Sequence, residues 1–360
     1  MKIAQVIWPD YSMPPYGYGS IQLVASRIVN GLVDKGYDIT SFTTADSKIK
    51  GKIVPTAKIA TKLDKTVSDF ELFHAVTLLE VIKRKKDFDI FHCHIGYFSL
   101  VLLDVMEKPL VITLHSDISE DKHFLDIYQK YGQKAFFVAI SKSQKKNLSG
   151  INCLDVVYHG LDINEYYFEE DAEDYMVFVG RISPGKNLGE AIRIAMDLKI
   201  PLKIAAKMGK SPEAVKYYEK EIKPFLDNRY IDFLGELNQE EVKRLISKAK
   251  VFIYPINWAE PFGLVVMEAN ASGIPVVTYS LGAMPELIKN GLNGFVLEPR
   301  DLEGFKKAIK KIFRMPKQEY DKMKVNCRDF IKANFSIEKM VEGYENVYKN
   351  VMAIWRKRNG

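Results

Sequence analysis

Three cysteines in 360 residues, Cys93, Cys153 and Cys327, are too few and too scattered for a disulfide framework or a zinc cluster. Both need paired or closely spaced thiols, so the count points to a reducing, cytoplasmic setting. Long apolar runs are missing too: no stretch approaches the roughly 20 residues that a membrane span requires. The opening MKIAQVIWPD is broken too early for a signal peptide and reads as a first buried strand. Nor does one sign of charge dominate, since 52 Lys+Arg stand against 46 Asp+Glu. A chain that is 47% hydrophobic and 27% charged buries enough to fold throughout. Its length asks for two domains rather than one core.

What charge excess there is sits at the end. Residues 301–360 hold 15 Lys+Arg and 8 Asp+Glu, in helical stretches such as LEGFKKAIKKIFRM where they alternate with an apolar stripe. A solvated helix face is the plainer reading, and attraction to an acidic membrane surface is the sharper one, which KRKK at 83–86 shares. No motif for nucleic acid is present.

Short β-branched runs alternate with amphipathic helical ones. Strand-like pieces are KIAQVIW (2–8), DITSFTT (38–44), FDIFHCH (88–94), LVITLH (110–115) and AFFVAIS (135–141). Between the first two, Ile21, Val24, Ile28 and Leu32 share one helical face, with Ser20 placed to cap its start and Gly36 to end it. The pattern restarts with YMVFVGRIS (175–183), a helix near 187–198, LKIAAKM (202–208), IDFLGEL (231–237), KVFIYPI (250–256) and IPVVTYS (274–280). Continuous apolar strands separated by helices predict parallel sheets covered on both faces. The fold class is therefore α/β, two doubly wound Rossmann-like domains facing a cleft, with DINEYYFEEDAED (162–174) as the hinge. Ligands in such sheets bind beyond the carboxyl ends of the strands.

Several of those ends carry chemistry. The first strand runs into PDYSMPPYGYGS, where Gly17 and Gly19 admit close backbone approach before a helix N-terminus that attracts anions. A dinucleotide fingerprint would need a third glycine where Gln22 stands, and a plain turn remains open. In VFVGRISPGKN the strand ends at Gly180, and Arg181 and Lys186 offer a forked and a point cation that suit a diphosphate. Two idle surface cations are the alternative. His92 and His94 project from one face of a strand, which suits packing or cleft lining; no further ligand has metal spacing. His115 ends its strand on the cleft side. In NWAEPFGLVVMEANASG, Glu260 lies in a strand's exit loop and Glu268 about two turns into the next helix, which Gly273 ends. Two carboxylates there can accept hydrogen bonds from sugar and ribose hydroxyls. Alternatively Glu260 caps the helix and Glu268 faces solvent, which leaves the Pro-Phe-Gly turn between them unexplained.

Over nearly its whole length the chain resembles the GT-B glycosyltransferases of glycosyltransferase family 4. The likeness rests on PPYGYGSIQ (14–22), TLHS (113–116), VYHGLDINEY (157–166), GRISPGKN (180–187), DFLGEL (232–237), EPFGLVVMEANASGIPVV (260–277) and GAMPELIKNGLNGFVLEP (282–299). Glu260 and Glu268 match the family's E-x7-E signature. The resemblance implies an acceptor-side domain over 1–165, a donor-binding domain over 166–336, and a last helix within 337–360 that crosses back to the first domain. It further implies retaining transfer of a hexosyl unit from a UDP- or GDP-sugar to a glycan, lipid-linked or small-molecule hydroxyl, with no metal or other cofactor. By position, Arg181 and Lys186 would neutralise the diphosphate, helped by amides around Gly17 and Gly19. Glu260 would hold sugar hydroxyls beside the amides of Phe262, Gly263 and Leu264. Glu268 would take the ribose, and His115 would meet the reacting sugar. The expected place of such an enzyme is the cytoplasm, at or near the inner face of the membrane.

Two positions depart from the family's first loop: Tyr18 replaces the first glycine of its pair, and Gln22 replaces its acid. Acceptor chemistry is thus the least transferable inference. A sugar-nucleotide epimerase on the same scaffold would lack E-x7-E, and an inactive nucleotide-binding homologue would have no need of intact Arg181, Lys186, Glu260 and Glu268.

Overall fold

A computed structural model describes residues 1–359 apart from Tyr18, Glu120 and Lys210; the substitution noted at Tyr18 lies outside the described residues. The chain divides into two compact units, Met1–Leu161 with Ile337–Gly360, and Asp162–Ser336.

In the first unit seven strands form one parallel sheet: β1 (Lys2–Val6), β2 (Asp38–Thr44), β3 (Lys52–Ala57), β4 (Ile90–Cys93), β5 (Leu110–Leu114), β6 (Phe136–Ala139) and β7 (Cys153–Val156). Their order is β3-β2-β1-β4-β5-β6-β7. The second unit has β8 (Met176–Ile182), β9 (Leu202–Met208), β10 (Ile231–Gly235), β11 (Val251–Tyr254), β12 (Val276–Tyr279) and β13 (Gly294–Leu297), ordered β10-β9-β8-β11-β12-β13. All pairings are parallel. Central strands such as FFVA and VFIY are buried at every position, as a sheet covered on both faces demands. In each sheet the strand order reverses once, between β1 and β4 and between β8 and β11. Those reversals are where a doubly wound sheet opens a crevice at its carboxyl edge.

Helices α1 (Ser20–Asp34), α2 (Phe70–Lys83), α3 (Lys122–Tyr131) and α4 (Lys142–Lys146) join the strands of the first unit. Those of the second are α5 (Leu188–Leu198), α6 (Pro212–Glu221), α7 (Gln239–Ser247), α8 (Leu264–Ala271), α9 (Met284–Leu287), α10 (Leu302–Phe313) and α11 (Lys317–Asn334). The last helix, α12 (Ile337–Asn359), returns to the first unit. It buries Val341, Tyr344, Val347, Tyr348 and Val351, and its Glu345 takes hydrogen bonds from Lys35 (2.7 Å) and Tyr37 (3.0 Å).

Three strands escape a reading by apolar runs. β3 contains Pro55, which a ladder tolerates only at an edge, and β3 is an edge. β7 and β13 are edges as well, half-buried and weakly patterned. The cap of α1 also differs from expectation. Gly19 occupies the capping position and Ser20 is the first helical residue, with no side-chain cap bond.

Helices α1 and α12 meet at Gly31, where a β-carbon would lie 2.4 Å from a Val341 methyl. Alanine is the better helix former by about 1 kcal/mol, yet Gly31→Ala should destabilise the protein by about 1–3 kcal/mol through overpacking. Adding Val341→Ala should recover stability in a denaturant-melting double-mutant cycle. A Gly31→Ala protein that melts above the wild type would contradict this packing.

Candidate active site

The second unit's crevice is built by the loops that leave β8 and β11. β11 ends on the buried Tyr254, and the chain loops through Trp258 and Glu260 into α8. The Glu260 backbone is pinned by Gly282: a β-carbon at Gly282 would stand 2.2 Å from Glu260 O and 2.4 Å from Glu260 N. Ala283 N donates to the same carbonyl at 2.9 Å. The GAMPEL segment after β12 thus holds the acid-bearing loop by backbone contact that no larger residue permits. Gly263 caps α8 at φ +103°, with the Met284 methyl 2.6 Å from where a side chain would start. No side chain caps α8, so Glu260 is free of that duty.

The Glu260 carboxylate is buried and unevenly used. Its Oε2 accepts from the Tyr254 hydroxyl (3.0 Å), from Trp258 Nε1 (3.1 Å) and from Lys186 Nζ. Its Oε1 takes no hydrogen bond among the described residues. Lys186 arrives on the Pro184–Lys186 turn after β8, donates to Tyr254 at 2.6 Å, and lies 5.0 Å over the Trp258 ring. Gly185 O accepts from Asn257 N (3.0 Å), which docks that turn on the loop. Burial lowers the Lys186 pKa, the Glu260 charge raises it in return, and Arg181 lowers it again. Arg181 itself is exposed and still within β8, which runs on past Gly180 to Ile182.

Glu268 is the fifth residue of α8, just over one turn in rather than two, because the helix starts only at Leu264. It is half-buried, with the Tyr166 hydroxyl at 3.5 Å. Phe262 is buried, and Leu264 heads a helix whose first amides have no acceptor within it. The second unit therefore gathers two cations, two acids and a helix N-terminus at one carboxyl edge. Sequence reasoning missed Tyr254 and Trp258; the signal was their position, an aromatic at the end of β11 and another in the loop that carries Glu260.

In the first unit, the loop after β1 brings Trp8 onto His74 (ring centroids 4.1 Å apart) and Asp10 onto His74 (2.9 Å) and Lys62 (2.5 Å). Gly19 is buried at φ +149° against Pro15. Gly17 has nothing within 4 Å of where a side chain would begin, so the packing leaves room there. His115 follows β5, half-buried, with Nε2 2.8 Å from His94 Nδ1 and its ring 5.5 Å from that of His159. His94 Nε2 faces Gln5 Oε1 at 3.0 Å, and His92 bonds Tyr348 and Thr113, both at 2.7 Å. Burial holds His92 at about 3 and His115 at about 4, and keeps His94 and His159 well below the usual range. Among the described residues no three His, Cys, Asp or Glu side chains gather as a metal-binding set.

Comparison with known proteins places the chain in a family. The family model described as Glycosyltransferase Family 4 matches residues 21–165, and that for glycosyl transferases group 1 matches 163–330. The chain belongs to the family 4 glycosyltransferases. It is 24% identical to an uncharacterised glycosyltransferase of Methanocaldococcus jannaschii, over 98% of this chain and 99% of that one. It is 22% identical to the O-antigen chain mannosyltransferase C of Escherichia coli, over 94% and 96%. Among solved structures it is similar to sucrose-phosphate synthase of Thermosynechococcus elongatus (TM-score 0.79, 17% identity, 98% of this chain and 99% of that one). It is also similar to HepE of Anabaena in complex with UDP-glucose (TM-score 0.75, 19% identity, 97% and 100%). The fold of this glycosyltransferase is GT-B, and among its described residues no helix is long and apolar enough to cross a membrane.

The neutral histidines make the glycosyltransferase acid-sensitive. Their folded pKa values lie below the unfolded value near 6.5, so the unfolded chain takes up protons first as pH falls. Stability from this source is complete above pH 6.5 and is lost towards pH 4, at about 1.4 kcal/mol per pH unit for each imidazole. Urea midpoints measured from pH 7 to 5 should fall accordingly, and His159→Asn should flatten the slope. A midpoint independent of pH over that range would refute the neutral cluster.

Proposed function

We propose that this glycosyltransferase moves a hexosyl unit, with retention, from a UDP- or GDP-sugar to a hydroxyl acceptor, without a metal. The observation that carries the proposal is Glu260. One of its oxygens is fixed by three donors and the other is left to accept a hydrogen bond, at the strand-order reversal where the fold binds ligands. A carboxylate held so suits a sugar hydroxyl, and it stands against Lys186, which with Arg181 suits the diphosphate. Glu268, beside Tyr166, would take the ribose diol. The amides of Phe262, Gly263 and Leu264 would face the sugar and phosphate, and those around Gly17 and Gly19 would help hold the diphosphate. His115 would meet a hydroxyl of the donor sugar.

The chemistry is set by where charge develops. As the bond between the anomeric carbon and the diphosphate oxygen breaks, the sugar becomes positive and the departing phosphate more negative. Fixed cations at the phosphate stabilise that state more than the bound donor, and such preorganised groups lower barriers. The acceptor oxygen then bonds to the anomeric carbon on the face that the diphosphate leaves, and its proton passes to the departing phosphate oxygen. HepE was solved with UDP-glucose, and a relative is named as a mannosyltransferase; both kinds of donor belong in the first trial.

A thermal-shift screen of nucleotide sugars should find one that raises the melting temperature, since a ligand of the folded state alone stabilises it. With that donor, Glu260→Ala should cut transfer by about 10²–10³-fold, the scale of losing one preorganised group, while the nucleotide alone still binds. Unchanged transfer by Glu260→Ala would sink this role, and epimerised donor without transfer would favour the epimerase reading.

A further inference from the structure

The proposed reaction has no use for five buried polar side chains that lie behind His115: Gln5 on β1, His92 on β4 and His94 just beyond it, Thr113 on β5 and Tyr348 on α12. All are almost fully out of water, and hydrogen bonds link them into one relay that ends on His115.

The relay has a direction. Gln5 Nε2 lies 3.0 Å from the Tyr348 hydroxyl, and Gln5 Oε1 lies 3.0 Å from His94 Nε2. An amide nitrogen only donates and an amide oxygen only accepts. Tyr348 therefore accepts from Gln5, and its own proton goes to His92 Nδ1 at 2.7 Å. His92 is left with its proton on Nε2, which it donates to Thr113 Oγ1 at 2.7 Å. On the other side, His94 must donate from Nε2 to Gln5 Oε1. Being neutral, it keeps a lone pair on Nδ1, which faces His115 Nε2 at 2.8 Å. That contact is a hydrogen bond only if His115 carries its proton on Nε2. Its Nδ1 is then bare, and no side chain or amide among the described residues donates to it. Turning the Gln5 amide over would reverse every donor and put the proton on His115 Nδ1. The tautomer of His115 is thus set by an amide two side chains away, which is itself bonded to Tyr348 and, through it, to His92.

We propose that Gln5, His94, His92 and Tyr348 are positioning residues that keep His115 as its Nε2–H tautomer, so that its bare Nδ1 accepts a hydrogen bond from a sugar hydroxyl. The recognition is specific in kind, because a lone pair meets a hydroxyl proton and repels a phosphate oxygen. The sugar half of this inference rests on the role given to His115 above; the tautomer does not.

Long-range ¹H–¹⁵N spectra of the histidine-labelled protein test both halves, with the His115 signals assigned by their loss in His115→Gln. The wild type should show a protonated Nε2 and an unprotonated Nδ1 at His115. A protonated Nδ1, or a mixture, would overturn this order of donors. Tyr348→Phe frees the amide to turn, and a mixture of tautomers should appear, with kcat/KM for the donor about twofold lower as the competent fraction halves. Gln5→Met removes both amide groups and gives a second reading should Tyr348→Phe fold poorly. A pure Nε2–H signal in both variants would overturn the positioning role. Mixed tautomers with unchanged kcat/KM would leave the relay standing and remove His115 from the sugar.

Discussion

A single carboxylate oxygen, Glu260 Oε2, ties the stretch that carries it to a turn far upstream in the chain. Tyr254 comes from the end of β11, Trp258 from the loop beyond it, and Lys186 from the turn after β8. The group is nearly dry, and a buried ion pair that loses one partner leaves the other charge stranded, at about 3–5 kcal/mol. Each member is therefore held by the others more firmly than any would be alone. The same arrangement explains the glycines around it: Gly282 lets GAMPEL press on the Glu260 backbone, and a β-carbon on Gly185 would come within 3.2 Å of the Trp258 ring. Packing, hydrogen bonding and charge agree on one geometry, and a preorganised site needs that agreement.

Much of this is legible in the chain because parallel strands buried on both faces leave unbroken apolar runs. DITSFTT and LKIAAKM coincide with β2 and β9 to the residue. Three of the four edge strands are not legible in that way. At an edge β3 can carry Pro55, which a central ladder would not tolerate, and β7 and β13 are half-buried with weak patterning. Boundaries near the site also slip. FDIFHCH shrinks to IFHC, although the amides of Asp89 and His94 at its two ends still donate to Lys2 and Val6 on β1. Glu268 moves a turn closer to the start of α8 because Gly263, with its left-handed backbone, is what begins the helix.

The acids and cations could be read from spacing, since Arg181 is near the end of β8, Lys186 and Glu260 lie in the loops after β8 and β11, and Glu268 lies in the helix that follows. Their partners could not. Tyr254 ends a strand as any core tyrosine might, and nothing in YENVYKN shows that Tyr344 and Tyr348, one turn apart on α12, reach Thr113 and His92 more than 200 residues upstream. Composition misleads in another way over 301–360. Lys306 pairs with Asp197, Lys317 with Asp171, and Lys324 and Arg328 bond backbone carbonyls of the segment from Ile163 to Glu170. Part of the basic excess is internal scaffolding, which a count of charges does not distinguish from a surface for an anionic partner.

The two units differ in how they manage charge, and the proposed reaction gives that difference a reason. Around Lys186 and Arg181 the second unit keeps cations, and the neighbouring Glu260 charge opposes the burial that would strip the proton from Lys186. Around His115 the first unit keeps the imidazoles neutral: burial alone holds His115 near a pKa of about 4, and burial, helped by the nearby Arg27 charge, keeps the stacked His159 neutral as well. A leaving phosphate gains negative charge and is met best by fixed cations. A sugar that becomes positive is met best by a lone pair, and an imidazolium there would oppose the same step. Keeping His115 neutral costs stability in acid, because burial of the uncharged ring is lost to protonation as the pH falls. The arrangement is understandable if the bare nitrogen is what the sugar requires.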